Sequence, residues 1–486
     1  MQGLAKEALN KSHLRRNPKE RSLSHRALTD VPARVCPKSG AHRERGGAEW
    51  VLGGGAALGC IEVTAVGSRK MNARITLAGT MLLLALAPGG PSNRGLAAAA
   101  TPSSDQTLVA KGAELAAIGN CATCHTSRDG RAFAGGLPLT TPFGTIYSTN
   151  ITPDPDTGIG RWTEADFRRA MREGVDRAGR HLYPAFPYDH FTRVRDEDVA
   201  AIYAFIMTRD PVRADVPANR LRFPAGLRPA IALWKALYFQ AGVYQPDGSK
   251  DAQWNRGAYL VEGLAHCGAC HTPRNALGAE QRQQDLAGGE AEDWHASSLS
   301  ANSPAPVPWT ADQLFDYLRR GREEQHGVAA GPMAPVTHSL AGVGEEDVRA
   351  IAVYVASQMP PRSAAAPRRA DAERSGSSDG AQIFAGACAS CHDAPAAMPP
   401  SSPVPLGLTT SLNAPDPRNT IHVVLNGLWP ESGESGASMP GFAAGLTDKQ
   451  VAALVDYLRA RFTGQPAWRD VPERVAAIRR TLEEER

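Results

Sequence analysis

Cys-x-x-Cys followed directly by His occurs three times, as Cys121-Ala-Thr-Cys124-His125, Cys267-Gly-Ala-Cys270-His271 and Cys388-Ala-Ser-Cys391-His392. Two thiols at this spacing can each add to a vinyl group of haem c, and the adjoining imidazole then stands where it can ligate iron. The pattern predicts three covalently bound haem c groups, with His125, His271 and His392 as the proximal ligands. Cys-x-x-Cys pairs also hold zinc or form redox disulfides. Neither use calls for a following His at every copy, and zinc would need further ligands that the neighbouring sequence does not offer. Three haems along one chain make a wire, so the chemistry expected is electron transfer.

The remaining cysteines sharpen this reading. Of eight Cys, six belong to the motifs, and Cys36 and Cys60 lie upstream of Met71. From Met71 the chain has a short basic start ending at Arg74, an apolar run from Ile75 to Ala87, and small residues over Ala97 to Ala100. This is the outline of a secretory signal peptide at 71–100, and the run is short for a membrane span. Translation is expected to start near Met71, leaving only motif cysteines in a mature chain suited to an oxidising compartment. Residues 1–70, rich in Arg, Gly and Ser without apolar periodicity, read as a non-native or disordered extension. The net charge of +3 gives no reason to expect a nucleic-acid partner.

The elements that must carry the motifs repeat with them. A segment opening with Gly-Ala precedes each motif, at Gly112, Gly257 and Gly380. An amphipathic helix closes each repeat, running from Val199, Val348 and Val451 with apolar residues at i, i+3, i+6 and i+7. Small residues on the first helix would let it cross the last one closely. Trp162-Thr-Glu-Ala-Asp and Trp309-Thr-Ala-Asp-Gln stand between them, with Thr163/Asp166 and Thr310/Gln313 at the spacing that caps a helix. No stretch reads as a regular sheet. The expected fold is all-α, three tandem class I cytochrome c-like domains at 104–208, 251–359 and 379–465. Pro- and Arg-rich residues 209–250 are expected as a linker, with Trp234 and Tyr238 as packing points, and 360–378 as a second. Residues 466–486 are expected as a charged, solvated tail.

The sixth iron ligand is located by the repeats themselves. Methionine is a common partner for a proximal His in electron-transfer haems. Met333 lies twelve residues after Gly321, and Met439 twelve after Gly427. Both are expected as ligands. The same count from Gly174 reaches Phe186, which cannot ligate. His190 is the expected replacement, with His181 behind it, while Met171 matches Leu318 inside a helix and reads as core.

The stretches FAGGLPLTTPFGTIYSTNITPDPDTGIGRW, HLYPAFPY and RGAYLVEGLAHCGACHTPRNALG resemble the three-haem cytochrome c subunit of bacterial membrane-bound dehydrogenases acting on alcohols, sugar acids, aldehydes or N-heterocycles. The resemblance runs from about Gly112 to Phe462 and is most specific over the first two repeats; many relatives carry Met at the position of Phe186. It implies a catalytic partner subunit with flavin, pyrroloquinoline quinone or molybdopterin, and ubiquinone or a terminal oxidase as acceptor. It also implies a periplasmic place at the outer face of the cytoplasmic membrane. The alternative is an autonomous, peroxidase-like haem enzyme using an open first iron. No paired carboxylates, phosphate loop or nucleophile–base pair suggests a separate substrate site, and Asp154 and Asp156 read as turn residues.

Overall fold

The computed structural model describes residues 103–128, 130–359, 378–393, 404–429 and 438–484. The expected signal peptide, the extension before it and most of the 360–378 linker lie outside the described residues. The described chain is helix-rich, and its packing repeats one crossing three times. Helix Ser104–Ile118 packs on Asp196–Met207, helix Ala252–Tyr259 on Glu345–Gln358, and helix Ser378–Ala387 on Asp448–Thr463.

Glycine permits each crossing. A Cβ on Gly112 would sit 1.9 Å from the Ala201 carbonyl oxygen, one on Gly257 2.0 Å from that of Ala350, and one on Gly380 2.3 Å from that of Ala453. No side chain fits there, so the helix backbones meet directly. Buried side chains then fill both flanks. In the first two repeats one continuous core includes Leu115, Ile202, Leu260, Leu264 and Ile351. Around the third crossing, Phe384, Ile421, Leu425, Leu454 and Leu458 form another.

The helices between the crossings start and stop as their sequences dictate. Glu164–Glu173 and Ala311–Arg320 open with reciprocal capping boxes at Thr163/Asp166 and Thr310/Gln313. They end at Gly174 and Gly321, both left-handed, with φ of 60° and 65°. Asp154 accepts hydrogen bonds from the Asp156 and Thr157 amides at 3.1 and 2.7 Å, which makes it a turn residue.

Three features depart from the sequence reading. Short antiparallel strands follow the first two motifs: Pro138–Thr141 pairs with Gly144–Tyr147, which also takes Arg220–Leu221, and Gly289–Ala291 pairs with Trp294–Ala296. Residues 209–250 carry a helix, Arg228–Tyr238, strapped across both repeats. Its buried Lys235 donates to the Glu173 and Gly174 carbonyls at the end of helix Glu164–Glu173, while Trp234 Nε1 donates to the Leu277 carbonyl at 2.9 Å. The expected solvated tail is instead helix Val471–Glu484, with Val471, Val475 and Ile478 all 1 % exposed or less. Their spacing of four and three puts them on one face, packed on Asp448–Thr463. No described helix is long and apolar enough to cross a membrane.

Candidate haem-binding sites

Each Cys-x-x-Cys-His string forms a short helical turn, at Cys121–His125, Gly268–His271 and Ala389–His392. A turn of helix sets two cysteines three apart on one side and the imidazole beside them. The first two histidines are held alike. His125 Nδ1 donates to the Thr149 carbonyl and His271 Nδ1 to the Ser297 carbonyl, both at 2.7 Å. Their own carbonyls accept from the amides of Gly135 and Gly288, again at 2.7 Å, where φ is 71° and 100°. These bonds come from the short hairpins, and they leave each Nε2 as the free lone pair.

Burial also keeps these rings in the ligating form. It holds His125 and His271 below the usual imidazole range, although the hydrogen bonds to Thr149 and Ser297 oppose it. His392 is lowered by burial too, and its Nδ1 has no partner among the described residues. Desolvation pushes the Cys121 and Cys267 thiols up to about 12, and none of the six described cysteines is paired in a disulfide.

A cavity of about 2660 Å³ opens beside Cys121, Cys124 and His125 and reaches Cys270. Ordinary small-molecule pockets span ~300–1,000 Å³, so this one has room for flat macrocycles from two neighbouring motifs. Cys124 and Cys270, the second cysteines of both motifs, line it together. The attachment loops also touch. His266 Nε2 lies 3.3 Å from the Gly119 carbonyl, and Ser339 Oγ, from helix Met333–Ala341, donates to Asn120 Oδ1 at 2.9 Å. Apolar walls, neutral imidazoles with free Nε2 and paired thiols in one slot fit covalent haem c.

The third segment reaches the second through the Trp294–Ala296 strand, by way of helix Arg418–Asn426. Trp294 stacks on His422 with centroids 4.5 Å apart and planes 13° from parallel. Trp294 also covers Gly331, where a Cβ would fall 2.3 Å from its ring. Asn419 exchanges hydrogen bonds of 2.8 Å with His295, and the buried Arg418 guanidinium meets Asp416 and Glu290 at 2.9 and 2.6 Å.

The expected sixth ligands divide. Met333 opens helix Met333–Ala341, half-buried against the core, two residues past the Gly331 that Trp294 covers. Met439 is held in an antiparallel bridge to Leu428, with bonds of 2.9 and 2.8 Å. Phe186 lines the large cavity with its ring 5.3 Å from that of Phe191.

Both ring nitrogens of His190 are engaged within the protein, Nδ1 with the Glu262 carbonyl at 2.9 Å and Nε2 with the Glu280 carboxylate at 3.0 and 3.1 Å. Burial lowers its pKa, but the hydrogen bond and charge of Glu280 raise it more, to about 8. The ring packs on the second motif, where a Cβ on Gly268 would meet His190 Cε1 at 2.9 Å. His181 bridges to Val175 on the backbone and sets Nδ1 3.2 Å from the Lys235 ammonium. The Thr149 and Ser297 carbonyls carry no signal in their side chains, and their distances from the motif histidines, 24 and 26 residues, emerge only once the hairpins are seen.

Comparison with known proteins agrees with this geometry. The "Cytochrome c" family model matches residues 109–210, and that for "Cytochrome C oxidase, cbb3-type, subunit III" matches 377–458. The second motif falls between them. A nicotinate dehydrogenase subunit of Pseudomonas putida is 48% identical over 379 residues, 76% of this chain. The match spans 32% of that protein, about a third of its length. The fructose dehydrogenase cytochrome subunit of Gluconobacter japonicus is 36% identical over 79% of this chain and 84% of its own. The gluconate 2-dehydrogenase cytochrome c subunit of Pantoea cypripedii is 37% identical over 75% and 87%. Two cytochrome c matches, and likeness to cytochrome subunits over most of their length, place this chain in the family of dehydrogenase cytochrome c subunits.

Proposed function

We propose that the chain carries electrons through three covalently bound haems c, one in each of three cytochrome c domains at 104–208, 251–359 and 379–465. The observation that carries this reading is the glycine crossing. Gly112 meets Ala201, Gly257 meets Ala350 and Gly380 meets Ala453, each glycine eight to ten residues ahead of a Cys-x-x-Cys-His. A segment that repeats its attachment residues and its closest backbone contact repeats its purpose. Haem bound there supplies one-electron redox chemistry. The protein holds it by the paired thiols, fixes the imidazole tautomer through Thr149 and Ser297, and excludes water with the buried aliphatic core. Met333 and Met439 are assigned as the sixth ligands of the second and third irons.

The partner is a dehydrogenase catalytic subunit, as the names of the relatives imply for those proteins. Identity of 48% to the nicotinate dehydrogenase subunit, against 34–37% to the sugar, sugar-acid and alcohol dehydrogenase cytochromes, favours an N-heterocycle-oxidising partner. Electrons leave to ubiquinone or a terminal oxidase at the periplasmic side of the membrane, after export directed by the 71–100 signal. Intact-mass analysis of the exported chain tests the core of this reading. The mass should equal the polypeptide from about residue 101 plus three haems, all retained through acid–acetone extraction. Two haems, or peptides containing Cys36 or Cys60 in the mature chain, would refute the corresponding part.

A further inference from the structure

We infer that the iron at the first motif receives no sixth ligand from this chain and accepts a small neutral ligand such as carbon monoxide in the cavity that the Phe186 ring lines. The inference rests on the reading that Cys121, Cys124 and His125 hold a haem. It claims a ligand-binding iron within an electron carrier, not an enzyme with turnover of its own.

Three observations converge on it. The first is register. Gly174, Gly321 and Gly427 each end a helix with positive φ, at 60°, 65° and 76°, and after each the chain folds back in antiparallel pairing. Twelve residues on stand Phe186, Met333 and Met439. Phe186 is thus delivered to the methionine position, and it lines the same cavity as His125. Its ring offers iron no lone pair.

The second is the fate of the nearby imidazoles. His190 spends both nitrogens on Glu262 and Glu280, across the boundary with the second repeat. Freeing it would leave the 12 % exposed Glu280 carboxylate without its cation partner, apart from Arg274 at 3.3 Å. His181 is tied into the turn after Gly174 beside Lys235. His266 lines the cavity but faces the Gly119 carbonyl, on the attachment side.

The third concerns Met171, which also lines the cavity and is 4 % exposed. It sits three residues before Gly174, and Leu318 sits three before Gly321 at 7 % exposure. Leucine fills that register in the repeat whose loop offers Met333, so the position is one of packing. The distal wall around Phe186, with Ile159, Phe167, Phe191 and Ile202, is apolar and disfavours a charged ligand.

Carbon monoxide titration of the reduced, full-length haem protein tests this. About one equivalent should bind per three haems, because only an open iron takes the ligand readily. Met171→Leu should keep that equivalent, and Phe186→Met should abolish it while the ferric first haem turns from high-spin to low-spin. No binding by the parent would overturn the inference. So would binding that appears only in Met171→Leu, since Met171 would then be the ligand, and so would full binding by Phe186→Met. A tryptic peptide containing Cys121 and Cys124 without haem would instead defeat the underlying reading, so the two failures are told apart by mass.

Discussion

Replacing glycine by alanine at two places in one helix should have opposite effects. Helix Ser378–Ala387 contains Gly380 and Gly386. In a helix, Ala is favoured over Gly by about 0.5–1 kcal/mol. At Gly386 a Cβ would meet nothing within 4 Å, so Gly386→Ala should realise that gain, reduced toward the lower figure in the last turn. At Gly380 the same methyl would lie 2.3 Å from the Ala453 carbonyl oxygen and 2.7 Å from Tyr457 Cβ. A carbon normally stays roughly 3.3 Å or more from such an oxygen, so the helices must part by about 1 Å. The obstacle is backbone in a packed helix, which cannot rotate away. Overpacking of this kind costs about 1–3 kcal/mol, centred near 2, and subtracting the propensity gain leaves Gly380→Ala destabilising by about 0–2.5 kcal/mol, centred a little above 1. The two variants should differ by about 2 kcal/mol, or roughly 8 °C or more in the melting of a domain this size. Calorimetry of the full haem-loaded chain, comparing the same transition in both variants, measures this. If Gly380→Ala melts at or above the parent, the close crossing is not what glycine provides, and the argument from its recurrence fails.

The His190–Glu280 pair makes stability depend on pH. Because the folded pKa of His190 is raised from 6.5 to about 8, its contribution is complete below pH 6.5 and is lost as pH rises through 8. The loss should be about 2 kcal/mol, visible as a falling denaturation midpoint between pH 6.5 and 9, and His190→Gln should flatten that slope. Met333→Ala and Met439→Ala should each remove one haem's share of the sulfur-to-iron charge-transfer band and lower one potential in a redox titration. Unchanged spectra in both would show that the count from the cap glycines does not locate the ligands.

The sequence carries the attachment chemistry and its helices plainly because both are local. Cys-x-x-Cys-His is one turn of chain, and Gly112, Gly257 and Gly380 announce a crossing by what they lack. The capping boxes at Thr163 and Thr310 are read within four residues. What escapes is long-range or held by backbone. His190 looked free because its partners, Glu262 and Glu280, lie 72 and 90 residues away. The hairpins escaped because strands of two to four residues are too short for alternation to register. Residues 209–250 read as linker from their Pro and Arg, yet Pro229 opens a helix as readily as it breaks one. The helix at Val471–Glu484 was legible: Val471, Val475 and Ile478 form a stripe that the surrounding charge concealed.

The middle segment bears most of the relation between the sites. The first attachment loop meets the second directly, through His266 at Gly119, and meets helix Met333–Ala341 through Ser339 at Asn120, and the second cysteines of the two motifs share a cavity. The third segment meets the second differently, through Trp294 stacked on His422. Trp294 lies three residues before Ser297, whose carbonyl holds His271, and it covers Gly331, two residues before Met333. One side chain thus touches the elements on both faces of the second site and the helix Arg418–Asn426 of the third. Under the proposed three-haem reading this makes the second site the junction, met by the first attachment loop on one side and by an aromatic pair on the other. It also fits the place where this chain departs from the methionine pattern. A terminal site can exchange Met for Phe186 and keep its edge against the second, whereas a change of ligation at the junction would alter passage in both directions.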